Sequence, residues 1–74
     1  MSEHKQYLQE RDRIDFLLQK GFQIKNITEN LSGAFIDFER TLESKTDVET
    51  LHVVTPEGRK YFSIVLIKQQ NEYV

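Results

Sequence analysis

Apolar residues recur at first every three or four positions and later every second one, and the change falls at Gly21. In the first part, Tyr7, Leu8, Ile14, Leu17 and Leu18 lie close to one stripe of a 3.6-residue period, with Arg11 in its middle. Glu10, Asp12, Arg13 and Gln19 fall at other angles and are expected in water. This spacing predicts a helix over residues 3–20. Ser2 is its expected N-cap, with Glu3 against the positive end of the dipole. Gly21 is its expected stop, a left-handed residue from which Phe22 folds back onto Leu17.

Beyond Gly21 the pattern is extended, and strands are expected over 22–28, 34–42, 49–55 and 60–68. Phe22, Ile24 and Asn26 alternate with polar neighbours until Ile27 breaks parity, which places a bulge or a strand end there. Asn30-Leu31-Ser32-Gly33 reads as a turn, with Gly33 free to take positive φ. In the second strand Ala34, Ile36 and Phe38 share one face. The segment from Glu43 to Asp47 reads as a polar turn, although Thr46-Asp47-Val48-Glu49 also has the form of a capping box that would start a short helical turn. Thr55-Pro56-Glu57-Gly58 reads as a tight hairpin turn. A three-residue loop there sets Val53 opposite Tyr61, and a four-residue loop sets it opposite Phe62.

The segment from Lys60 to Lys68 differs from the others in being apolar on both parities. Phe62, Ile64 and Leu66 would point one way, and Tyr61, Val65 and Ile67 the other, with only Ser63 interrupting. The expected fold is therefore α+β, one N-terminal helix packed on a four-stranded antiparallel meander in a single small domain over 1–74. One helix covers one face, so the second face of the last strand needs a cover. Phe35, Val54, Tyr61, Val65 and Ile67 are the candidate interface residues on that face. A second copy of the chain is the expected partner, with another protein, or the tail from Gln69 through Tyr73 and Val74, as alternative covers. The first strand, irregular at Ile27, is the expected open edge.

Composition changes this picture in one direction. A chain of 74 residues buries only about 60% of its unfolded surface, and small domains use disulfides, metals or assembly to hold together. No cysteine is present and only His4 and His52 supply imidazole, so assembly is the remaining device. The absence of cysteine, of an apolar leader and of a spanning run points to a cytoplasmic setting.

Chemistry is sparse. His52 sits alone in a strand, and Asp37 with Glu39 reads as the wet side of an alternating strand rather than an acid–base pair. Gly21, Gly33 and Gly58 are scattered singly at turns, which gives no phosphate loop. No enzyme, cofactor or metal is expected. The reading is a small interaction or regulatory module, homodimeric through the sheet, of the size of a bacterial or phage accessory protein. The alternative is a nucleic-acid-binding protein, with Arg59 and Lys60 at a hairpin tip beside Tyr61 and Phe62, and Lys25 and Lys68 nearby. Net charge weakens it, since ten basic residues face twelve acidic ones.

Overall fold

The computed structural model describes residues 3–71: α1 (Glu3–Gln19), β1 (Gln23–Asn30), β2 (Gly33–Leu42), β3 (Lys45–Val53) and α2 (Pro56–Asn71). The expected N-cap at Ser2 and the expected cover from Tyr73 and Val74 lie outside the described residues. The chain is α+β, but it has two helices and a three-stranded antiparallel sheet of order β1-β2-β3. The expected four-stranded meander with a single helix is corrected accordingly, because the segment 60–68 lies inside α2.

The start of α2 explains the misreading. Thr55 Oγ1 accepts the Gly58 N–H at 3.0 Å and Thr55 O accepts the Arg59 N–H at 3.1 Å. Thr55 is thus the N-cap, Pro56 the first helical residue, and Glu57 a favourable charge in the first turn. A type I turn starts with nearly helical dihedral angles, so Thr-Pro-Glu-Gly suits a hairpin and a helix start equally well. Tyr61, Phe62, Val65 and Leu66 then form one helical stripe against the core, while Ile64 and Ile67 stay exposed. A stripe stepping by three and four alternates parity, which is why it mimics a strand apolar on both faces.

α1 ends as its sequence predicts. Gly21 takes φ +94°, its N–H reaches Leu18 O at 3.1 Å, and the Phe22 N–H reaches Leu17 O at 3.0 Å, a Schellman closure. An added Cβ at Gly21 would meet only Arg40 Cδ at an ordinary 3.6 Å, so any penalty there is conformational. Gly21→Val is expected to cost about 1–2 kcal/mol in urea denaturation, from a β-branched residue held at positive φ. An unchanged midpoint would show that the helix end can be rebuilt without a left-handed residue.

In the sheet, Ile24 pairs with Phe38 and Asn26 with Asp37, leaving Lys25 as the extra residue of a bulge. The bulge restores parity, so Ile24 and Ile27 both face the helices. Two-residue loops join the strands at Asn30↔Gly33 and Leu42↔Lys45. In the second loop Glu43 and Ser44 both have positive φ, 51° and 71°, as a type I′ turn requires. The polar turn is therefore shorter than expected. β3 begins at Lys45 and ends at Val53, and the Thr46–Glu49 segment is strand rather than helical turn. Ile24, Ala34, Ile36, Phe38 and Val53 form one buried sheet face, closed by Ile14 and Leu17 of α1 and Phe62 of α2.

Candidate interaction surface

The five expected interface residues do not form one patch. Phe35 lies on the sheet face away from the helices, stacked on His52 with centroids 4.3 Å apart. Val54 follows β3 and is exposed. Tyr61 and Val65 turn toward the core side of α2, and Ile67 turns outward from it. The Tyr61 hydroxyl donates to Asp15, and this bond together with burial pushes its pKa up to about 12. A second covered sheet face at Val65 and Ile67, the stated basis for the homodimer, is absent because those residues belong to a helix.

The expected cations are equally dispersed, since Arg59 and Lys60 lie in the first turns of α2 and not at a hairpin tip. Both Arg59–Glu29 contacts are 2.9 Å, through one guanidinium nitrogen, and Lys25 stands 3.9 Å from Glu39. Lys68 occupies the last turn of α2. On the sheet face away from the helices, Asp37 accepts from Thr50 Oγ1 at 2.9 Å, and His52 Nε2 donates to Ser32 O at 2.6 Å. Among the described residues no group of three or more metal-type ligands converges, and no helix is long and apolar enough to cross a membrane.

Glu10, expected in water, is 5% exposed and reaches into the junction of β3 and α2. One carboxylate oxygen accepts the Val54 N–H at 2.8 Å and lies 3.4 Å from the Thr55 N–H, and the other accepts the Thr55 hydroxyl. Gly58 packs against this carboxylate and is buried. The signal for Glu10 is its place four residues before Ile14 and seven before Leu17, on the buried side of the helix. With Glu10 at Thr55 and Asp15 at Tyr61, α1 and α2 run side by side in the same direction. α1 lies over the β2–β3 side of the sheet, where Arg13, Phe16 and Lys20 border a cleft with Arg40 and Glu49.

The two sheet edges are treated differently. Along β1, Gln69 of α2 receives the Ile24 N–H and donates to the Ile24 carbonyl, each at 2.9 Å, and the bulge at Lys25 further breaks the edge. The edge expected to be open is thus capped at Ile24 and interrupted at Lys25.

β3 is the uninterrupted edge, and its register shows which groups it presents. A two-residue loop makes Leu42 and Lys45 a hydrogen-bonded pair, and such pairs alternate along an antiparallel ladder. Arg40–Asp47, Phe38–Glu49, Ile36–Leu51 and Ala34–Val53 are then the bonded pairs. Thr46, Val48, Thr50 and His52 consequently turn their backbone N–H and C=O outward. No side chain among the described residues bonds to those groups, and the next outward residue, Val54, is the one held by Glu10. The free edge contains no proline, glycine or bulge. A fourth strand in the expected meander would have filled this edge, so the sequence reading could not expose it.

The chain matches no protein-family model, and no curated protein or solved structure shows significant similarity to it.

Proposed function

We propose that the chain is a non-enzymatic protein-interaction module that takes up an extended segment along the open edge of β3. The observation that supports it is the contrast between the edges: β1 is bulged and bonded by Gln69, whereas Thr46, Val48, Thr50 and His52 present unpaired backbone groups in a straight run. Native proteins usually blunt such a row by bulges, proline, short length or a covering element. Here only charge guards it, through Lys45, Asp47 and Glu49. An edge of this kind binds by main-chain hydrogen bonds and selects by the side chains placed alternately on each face.

Proline at Val48 tests this directly. The Val48 N–H faces the open edge, so its loss removes no bond of the β2–β3 ladder. Val48→Pro is expected to keep the far-ultraviolet circular dichroism and cooperative melting of wild type. It should also abolish capture of whatever protein wild type retains from a lysate of its native cell. Capture that survives the proline excludes the edge. Recovery that disappears on nuclease treatment would instead favour nucleic acid as the partner.

A further inference from the structure

We infer that the segment received by β3 is the β3 strand of a second copy, paired antiparallel about Thr50. This rests on strand addition at β3 and names the occupant.

A two-fold axis at Thr50 sets that residue opposite its own mate and Val48 opposite His52. All three turn their backbone groups outward, so each of these pairs exchanges both of its hydrogen bonds. On the helix side Glu49 then faces Leu51 and Asp47 faces Val53, and no like charges stand directly opposite. Centring on Glu49 would set it against itself, and centring on Val48 would set Asp47 against Glu49, contacts that destabilise a ladder. Glu10 already holds the Val54 N–H, so the ladder ends there. The register about Thr50 loses only the Thr46 pair to that bond, whereas centring on Leu51 would lose Val48.

Both faces of this seam carry an apolar side chain that a single copy leaves in water. Away from the helices Val48 is 57% exposed, and its new neighbour is His52, which stacks on Phe35. On the helix side Phe16 is 54% exposed, at the cleft shared by α1, Arg40 and Glu49. A lone strand covers Val48 but leaves the outer side of α1 in water, whereas a second copy brings its own α1 alongside. Spacing permits this. α1 lies over β2 and β3, inside the edge by about half a strand spacing of roughly 4.8 Å. Two such helices stand about 9.6 Å apart across the seam, within the roughly 8–10 Å at which helices pack. The axis makes them antiparallel, and Asp12, Arg13 and Lys20 around Phe16 supply both signs of charge to that contact. A cysteine-free chain of 74 residues gains stability from such assembly.

Sedimentation over a concentration series should show wild type dimerising reversibly. Val48→Pro should weaken the dimer on the order of a hundredfold, through bonds lost at both Val48 positions, with circular dichroism unchanged. Phe16→Ser should weaken it on the order of tenfold without touching the edge. Register is read by oxidising single-cysteine variants, since the chain has no cysteine of its own. Thr50→Cys should form a disulfide-linked dimer, because bonded antiparallel pairs hold their Cα atoms about 5.5 Å apart. Thr46→Cys should not, because this register sets the two Thr46 positions about 26 Å apart. A bridge at Thr46 in place of Thr50, or a dimer that Val48→Pro leaves intact, overturns the inference. A wild type that stays monomeric at high micromolar concentration overturns it too. In that last case strand addition stands only if Val48→Pro still abolishes capture of another protein from the lysate.

Discussion

Glu10→Ala is expected to destabilise the chain by about 2–4 kcal/mol, because it orphans several donors at once where water has little access. Thr55 is 2% exposed, and both its N–H and its hydroxyl face the Glu10 carboxylate. The Val54 N–H loses its acceptor as well. For a domain of this size, whose whole stability is on the order of 5 kcal/mol, the variant should be marginally folded at room temperature. Glu10→Gln should fall between wild type and alanine, since the amide keeps one acceptor but turns an NH2 toward a donor. Urea denaturation of the three proteins measures both effects. A midpoint for Glu10→Ala within error of wild type would show that water replaces the carboxylate at no cost, and that the junction is not locked by it.

The same residue shows where patterning stops being informative. α1, its Schellman end at Gly21 and the two strands that follow were legible because each rests on local physics: a 3.6-residue stripe, a left-handed glycine, alternation with one parity break. α2 was not, since Tyr61, Phe62, Val65 and Leu66 satisfy two periods over a short run, and Thr55-Pro56-Glu57-Gly58 suits two kinds of turn. The stripe does continue to Gln69, and a strand has no use for that spacing, but Gln69 is polar and its partner, the Ile24 backbone, lies 45 positions away. Glu10 was hidden for a related reason. A carboxylate on the buried side of a helix becomes intelligible only when the donors it meets, at Val54 and Thr55, are known to be near. The candidate interface residues lose their common face with the fourth strand, since that face depended on it. The open edge at β3 is a property of what does not pair with it, which no local pattern reports.

Gly58→Ala sets two effects against each other. Alanine in a helix is favoured over glycine by about 1 kcal/mol, so propensity alone predicts stabilisation. Packing predicts the opposite. A Cβ on Gly58 would stand 2.7 Å from Val53 Cγ1 and 2.9 Å from Thr55 Oγ1, and closer still to Glu10 Oε1. Val53 is fully buried and Thr55 is held by its bonds to Glu10 and to the Gly58 N–H, so neither yields freely. Overpacking of this kind costs about 1–3 kcal/mol, and the net expectation is a loss of about 1–2 kcal/mol. Because the tightest contact is with Glu10, the two variants should not be additive. In the Glu10→Ala background the new methyl gains room, and Gly58→Ala should then cost about 1 kcal/mol less than it does alone. Strict additivity in a double-mutant cycle would place the collision on Val53, and would separate the packing of α2 from the carboxylate that holds its first turn.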